Sequence, residues 1–485
     1  MASLSVIIPT YNRAAVLKQA LRHLYEGSVK PDEVIVIDDA SEDPVNKYLE
    51  GEYPGLPLNV IRFKKNRGAS AARNAGIRAA KGDILVFQDD DIFADHHMIR
   101  YHKKIHQERP EKTYGVMGRV YFDPDLCRNP VMHYLEEFGF FKGIAKSPDK
   151  SPVTTGLISA NFSLKRALIE NEKLFDENFP FNRNEDTEFG LRMMEKGLNL
   201  RFHIAPSARH HSQLTIDTFF KQLSQGGFSK AYWSEIRPDD SEHCLRLGLA
   251  VNRKIHEAEF NEYFRKYIDA FGEKFLSGDI SQCPMPEFEE FRFFMDATVA
   301  WGYFIGLADG WLDIIPGFPA VLEKVTAAFD TPDAKKKINY LREAYRLNRD
   351  FFPMVILLGD TLSRMGEYTE AYRVLLPFEK FIWGKLNLAK LDYQLKNFEA
   401  GFQLVHDVFA MTKHKKFVET KQRFQAAELL GMLLKKEKNE KWTGLIRAHL
   451  TEEDLNHGVF RDEIPVFKLL KERMNDLTKI VKAPI

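Results

Sequence analysis

The chain has 485 residues, 44% of them apolar, with 69 Lys and Arg against 69 Asp and Glu. That length predicts roughly three domains, and zero formal charge argues against a general nucleic-acid binder or an acid-coated protein. Three scattered cysteines, Cys127, Cys244 and Cys283, form no CxxC pair, which argues against a disulfide framework or a zinc–thiolate site.

The opening residues, MASLSVIIPTYNR, have too short an apolar part for a signal peptide. No stretch reaches the roughly 20 apolar residues of a membrane span. The expectation is a cytoplasmic protein whose membrane contact is at most peripheral.

Ser5 to Ile8 is a β-branched apolar run, read as a buried strand. Pro9, Thr10, Tyr11, Asn12 and Arg13 close it as a loop. Val16, Leu17, Ala20, Leu21 and Leu24 then recur at helical spacing up to Gly27. Val34 to Ile37 is a second strand, ending in Asp38 and Asp39, and Asn59 to Phe63 a third. A helix rich in small residues is predicted from Ala69 to Ala80. Ile84 to Phe87 is the fourth strand, followed by Asp89, Asp90 and Asp91. This alternation predicts an α/β fold with a mostly parallel sheet and right-handed crossovers. Its polar groups gather at the carboxyl ends of the strands, where open sheets bind ligands.

Acids at such an edge are costly unless a cation pairs them. A hard divalent ion carrying a substrate diphosphate would do so. An isolated acidic triplet is more often a solvated loop, and Asp38 alone would read as a cap. The neighbouring features favour a nucleotide site instead. Asp38 can accept from the N3–H of a uracil, and Tyr11 can stack on the base beside Thr10. Gly68 to Ala72 opens a helix whose N-terminus, with Arg67 and Arg73 nearby, favours negative charge.

SVIIPTYNR, VIVIDDASED, NRGASAARNAGIRAAKGD and FQDDD, in this order, resemble the signature of glycosyltransferase family 2, whose members have the GT-A fold. The resemblance implies an inverting transfer from a nucleotide-diphosphate sugar, usually UDP-linked, with Mn²⁺ or Mg²⁺. It places donor binding on Pro9, Thr10, Tyr11, Arg13, Asp38 with Asp39, Asn66, Gly68, Arg73, Asp89 and Asp90. It places the metal on Asp89 and Asp91. Ala40 stands where the family often has Gly.

Tyr114 to Phe122 reads as a strand. Asp123 to Lys150 is aromatic and charged without clear periodicity, either an acceptor-facing region or a surface excursion. Thr154 to Arg166 turns into a strand or a helix start. Asn184, Glu185 and Asp186 open a helix that stops at Gly197. Acids there can serve as simple caps. An inverting transfer needs one carboxylate to take the acceptor proton, and the resemblance places that base on Asp186, with Glu185 as the lesser candidate. After a strand from Leu198 to Ile204, the resemblance makes His210 and His211 both candidates for a metal contact. His96, His97, His102 and His106 read as a solvated helix face.

From about Asp240 helical patterns dominate, with a loop expected over Ser277 to Pro286. Leu358-Gly359 precedes Tyr368 and Ala371, and Leu388-Ala389 precedes Phe398 and Gly401, a weak repeat that resembles tetratricopeptide repeats. It covers roughly Ala334 to Leu450, and an ordinary helical bundle is the other reading. The expected division is a GT-A domain over 1–236, a helical extension over 237–330 and an all-α, repeat-like domain over 331–485. Such a helical region would dock a glycan or protein acceptor. Two other functions fit less well. A nucleotidyltransferase would carry a Gly-rich phosphate loop after the first strand. A non-catalytic nucleotide-sugar scaffold would not need Asp89, Asp91 and Asp186.

Overall fold

A computed structural model describes residues 2–138, 148–153, 157–238, 247–278, 285–412 and 421–436. The chain divides into two compact units, Met1–Ile236 with Leu249–Pro316, and Arg237–Gly248 with Gly317–Ile485. The stretch expected as an extension over 237–330 is therefore divided between them.

In the first unit the strands are β1 (Leu4–Thr10), β2 (Glu33–Asp38), β3 (Leu58–Arg62), β4 (Ile84–Gln88), β5 (Ile92–Ala94), β6 (Tyr114–Phe122), β7 (Asn161–Lys165) and β8 (Asn199–His210). Its helices are α1 (Ala14–Glu26), α2 (Asn46–Leu49), α3 (Gly68–Ala79), α4 (Met98–Glu108), α5 (Pro130–Phe138), α6 (Arg166–Ile169), α7 (Glu185–Glu195), α8 (Ile216–Ile236), α9 (Leu247–Ile255), α10 (Glu257–Ser277) and α11 (Met285–Ile314). The strands form one sheet in the order β3-β2-β1-β4-β7-β6-β8-β5. The four N-terminal strands pair in parallel, as expected, while β7 runs antiparallel to both β4 and β6.

Burial on both faces explains the uninterrupted apolar runs. Val6, Ile8, Val34, Val36 and Val86 pack with Leu17, Leu21 and Leu24 of α1. Ile7, Ile35, Ile37, Leu85 and Phe87 pack on the other face with Ala72 and Ile77 of α3 and Phe189 and Met193 of α7. The small residues of α3 let it sit close to the sheet: a Cβ on Gly76 would lie 2.4 Å from Ile7 Cγ2. Register then sets the site. Thr10 pairs with Asp38 across β1 and β2, and Ile7 with Phe87 across β1 and β4, so three strand ends meet.

Two readings from sequence are corrected. β8 does not stop at Ile204 but runs through Pro206 to His210. A bulge between Gly118 and Val120 of β6 absorbs the irregularity. His102 and His106 are not solvated but buried on the inner face of α4. His102 lies 2.8 Å from Ser163 Oγ and 2.9 Å from Asn161 Oδ1, and His106 lies 2.8 Å from the same Ser163 hydroxyl. Within 123–150, read as lacking periodicity, residues 130–138 form α5 with a buried apolar face; the rest of that stretch and the loop expected over 277–286 are described only in part, and residues 413–420 and 437–450 of the repeat-like stretch lie outside the described residues.

Past β8, an aromatic cluster of Phe260, Phe264, Phe291, Phe294 and Trp301 joins α10 and α11 to α5. The second unit continues as α12 (Phe318–Asp330), α13 (Ala334–Leu347), α14 (Phe352–Arg364), α15 (Tyr368–Leu375), α16 (Ile382–Leu395), α17 (Phe398–Met411) and α18 (Lys421–Lys436). Chain neighbours pack on one another through small residues. Gly359 of α14 sits against Leu375 of α15, and Gly401 of α17 against Leu433 of α18. No helix of the described residues is long and apolar enough to cross a membrane.

Burial lowers the pKa of His102 to about 4 and that of His106 to about 3. Both lie below the value of roughly 6.5 expected in the unfolded chain. The unfolded state therefore takes up protons first as pH falls. Stability from this network is full above about pH 6.5 and is lost toward pH 4, by about 2 kcal/mol per histidine at pH 5. Urea midpoints across this range test it. His106→Gln should flatten the acid limb; an unchanged pH dependence would remove the pair from the account.

Candidate active site

The acidic triplet leaves β4 at the centre of the three strand ends; Asp89 meets one arginine, and Asp90 and Asp91 share another. Asp89 lies 2.9 Å from Arg73. Asp90 accepts from Thr10 Oγ1 at 2.7 Å and from Arg13 at 2.9 Å. Asp91 lies 2.9 Å from the other end of the Arg13 guanidinium and 3.2 Å from His210 Nε2. The two buried acids diverge in ionisation. Burial pushes Asp90 up to about 7, Arg13 pulling only part of the way back. Burial acts on Asp91 too, but His210 and Arg13 together outweigh it and hold the acid at about 2.

Arg73 connects this cluster to the candidate base. It lies on α3, fully enclosed, with one guanidinium nitrogen 2.9 Å from Asp89 and another 2.8 Å from Glu185. Burial works against its charge, yet Asp89, Glu185 and Asp186 more than compensate and raise its pKa. Glu185 is raised to about 6, by burial first and by Asp186 second, with Arg73 opposing.

The neighbouring Asp186 has a different setting. It is half-buried, its Oδ2 accepts from the Ser159 N–H at 3.0 Å and its Oδ1 from the Thr187 N–H at 2.7 Å. Of the acidic pair, Glu185 is thus locked in an ion pair and Asp186 is partly open. Ser159 lies in a stretch, LISAN, whose sequence carries no signal for this contact.

The other donor-side candidates separate as well. Asp38 has no exposed surface. Its oxygens accept from the N–H groups of Ser41 and Val45, at 2.8 and 3.3 Å, and from Arg62 at 3.2 Å. Its carboxylate shapes the turn after β2 and is closed to a base, contrary to its expected role. Asp39 accepts from the N–H groups of Arg67 and Gly68, at 2.7 and 2.8 Å, and so caps the entrance of α3. Ala40 has φ 64, the left-handed region that favours glycine, which accounts for the Gly of the resembling signature. Tyr11 is 44% exposed at the rim. Pro9 is half-buried at the end of β1, and Asn66 is exposed just before α3.

The two histidines also part. His210 stacks on Phe122 and faces Asp91. His211 stacks on Phe93 and lies 3.0 Å from Asp123, a residue that sequence reasoning did not single out. Carboxylates are ligand types that suit Mn²⁺ and Mg²⁺, whereas imidazole is the more usual ligand of Zn, Cu, Fe and Ni. Among the described residues no three such groups are already gathered around one point. Asp91 could supply one carboxylate to an ion whose remaining ligands are substrate phosphates, the usual arrangement for Mg²⁺, with His210 beside it.

Strand-end acids, a helix N-terminus opening beside them and a carboxylate pair on a facing helix thus meet at one edge of the sheet. Residues 5–171 match the family described as Glycosyl transferase family 2, and this part of the chain is a domain of that family. The match ends before Asp186 and His210. An uncharacterized glycosyltransferase of Bacillus subtilis, YfnE, is 40% identical over 243 residues, 41% of this chain and 62% of the relative. The UDP-Glc:alpha-D-GlcNAc-diphosphoundecaprenol beta-1,3-glucosyltransferase WfaP of Escherichia coli is 24% identical over 207 residues, 41% of this chain and 74% of the relative. With two further uncharacterized glycosyltransferases, YfnE sets the range: the chain spans 29 to 62% of these relatives' length. A solved structure of residues 1–349 of S. aureus TarS with UDP aligns at TM-score 0.36 and 19% identity, over 71% of this chain and 91% of that one.

Removing the central cation tests this geometry. Arg73→Ala leaves Asp89 and Glu185 without their shared partner, and breaking a buried pair in this way typically costs about 3–5 kcal/mol. Guanidinium denaturation should show a loss of that order; a change within about 1 kcal/mol would mean that the bridge is not structural.

Proposed function

We propose that this chain is a metal-dependent, inverting glycosyltransferase. It moves a sugar from a nucleotide-diphosphate donor, UDP-linked in this reading, to a hydroxyl of a glycan or a protein. The observation that carries the reading is the Arg73 bridge. It holds Glu185 against the donor-side acid Asp89 and leaves Asp186, one residue on, partly open at the start of α7.

In this reading Asp186 is the general base. It takes the proton of the acceptor hydroxyl as the oxygen attacks the anomeric carbon and the bond to the nucleoside diphosphate breaks, with inversion. Ser159 and the Thr187 amide orient its carboxylate. Tyr11 stacks on the base. Asp39 takes the place of the enclosed Asp38 on the nucleotide side, and the α3 N-terminus with Gly68 favours the diphosphate. Mn²⁺ or Mg²⁺ would be held by Asp91 and His210, with Asp89 adjoining, and when bound supplies charge neutralisation of the leaving diphosphate. The UDP assignment draws on the donor in the name of the WfaP relative. A cytoplasmic location belongs to the same reading.

A thermal-shift screen of UDP and UDP-sugars with and without Mn²⁺ tests the donor. Asp91→Asn should abolish metal-dependent turnover with the fold intact. Asp186→Asn should cost on the order of 10²–10⁴ in rate with donor affinity nearly unchanged. Normal turnover in either variant overturns the role given to that residue.

The helical second unit carries no catalytic constellation in this reading and serves to dock a macromolecular acceptor. Ending the chain after Pro316, where the first unit ends, should weaken transfer to the natural acceptor and spare donor binding. Circular dichroism confirms that the shortened chain is folded. Undiminished transfer by a folded truncation would remove the docking role.

A further inference from the structure

The turn that leads into α7 has an unusual backbone. Phe181, Asn182 and Asn184 all adopt left-handed conformations, at φ 60, 50 and 67. Asn tolerates that region, whereas a bulky Phe there costs on the order of 1 kcal/mol or more and persists only where its surroundings impose it.

The surroundings are specific, and on one side they all come from α8. The Ser229 hydroxyl donates to the Pro180 carbonyl. Phe228 meets Phe181 edge-on at 5.2 Å, and Asn184 Nδ2 donates to the Gly226 carbonyl at 3.1 Å. Helix α8 is itself seated closely on α11 through glycines. A Cβ on Gly227 would lie 2.0 Å from the Tyr303 carbonyl oxygen, and one on Gly306 would lie 1.9 Å from that of Ser224. The clamp is therefore stiff.

On its other side the turn reaches α3. Asn182 Oδ1 accepts from the Ala69 N–H at 2.8 Å, next to the two amides that Asp39 caps. Gly68 makes room for this contact, since a Cβ there would lie 2.7 Å from Asn182 Oδ1. Asn182 thus stands between the first turn of α3 and, three and four residues on, the acidic pair of α7.

We infer that Asn182 is a positioning residue that ties the first turn of α3 to the first turn of α7. The inference rests on the reading of Asp186 as the base and of α3 as the diphosphate side. Its consequence is that the base-bearing turn is held in place from the donor site. The hydrogen bond is exposed and contributes little to stability. Its effect is on placement, where a misplacement of about 1 Å costs on the order of 10²-fold in rate.

Two variants of the full chain test the tie. Asn182→Gly keeps the left-handed backbone and removes the acceptor oxygen, whereas Asn182→Asp keeps an acceptor. Amide exchange in the free protein needs no substrate. Asn182→Gly should speed exchange at Ala69 and across 185–188 together, and Asn182→Asp should restore both. Hydrolysis of whichever of UDP-glucose, UDP-N-acetylglucosamine and GDP-mannose the wild type turns over with Mn²⁺ supplies the kinetic arm. There Asn182→Gly should lower kcat about tenfold, leave the donor KM within about twofold and move the acid limb of the kcat–pH profile. Faster exchange at Ala69 alone, or failure of Asn182→Asp to restore what Asn182→Gly loses, overturns the tie. Asp186→Asn, assayed alongside, keeps the two questions apart. If it is fully active the base reading fails, and the exchange data still decide for or against the tie.

Discussion

Arg73 carries a full charge where water does not reach it, and two of its guanidinium nitrogens are committed to carboxylates from distant parts of the chain. A buried ion of this kind is stable only when its partners are held in place. Asp89 is fixed by leaving the centre of the sheet, and Glu185 by the first turn of α7. The arginine is fixed in turn by a helix whose small residues let it settle onto β1 and β2. Sheet, helix packing and acid placement therefore depend on one cation. Widening the gap between α3 and the sheet, as a side chain at Gly76 would, moves the arginine that both acids require.

The same bridge explains why two adjacent carboxylates on α7 differ. Successive residues on a helix point about 100° apart, so only one of the pair can face Arg73. Glu185 does, and it is enclosed. Asp186 points away, toward Ser159, and stays partly open. One side chain thus acts as an anchor, and in the proposed reading the next is left for chemistry.

The first four strands and their order were legible in the sequence because burial on both faces writes itself as unbroken apolar runs. The acidic strand ends were legible for the same reason, since a break from apolar to charged residues marks an edge. What was hidden depends on partners far away in the chain. His102 and His106 read as exposed because nothing near them announces Ser163 and Asn161, some sixty residues on. His210 and His211 were inseparable by neighbourhood and parted only when β8 set one ring toward Asp91 and the other toward Asp123. Asp38 and Asp39 differ likewise. Both are buried, Asp38 at the end of β2 among three donors and Asp39 just beyond it on two amides of the α3 entrance, and local sequence marks none of these partners. The left-handed turn at Phe181 contradicts its residue type, and only the clamp from α8 accounts for it.

Three consecutive carboxylates would repel one another if left alone, and the chain answers with partners drawn from three places. Arg73 of α3 takes Asp89, Arg13 from the loop after β1 takes Asp90 and Asp91, and His210 at the end of β8 takes Asp91 again. These partners are unequal, and the inequality orders the triplet. Asp90, enclosed and sharing Arg13, is the acid whose proton is easiest to keep, while Asp91, with two partners, stays ionised far below neutral pH. An ionised carboxylate is a ligand type that suits Mg²⁺ or Mn²⁺. In the proposed reaction such an ion does not meet bare charge at Asp91. It competes with Arg13, a half-exposed side chain that a diphosphate on the same edge would also attract. In that reading a donor diphosphate on this edge would give Arg13 a second anion, and Asp91 would be freed to hold the ion.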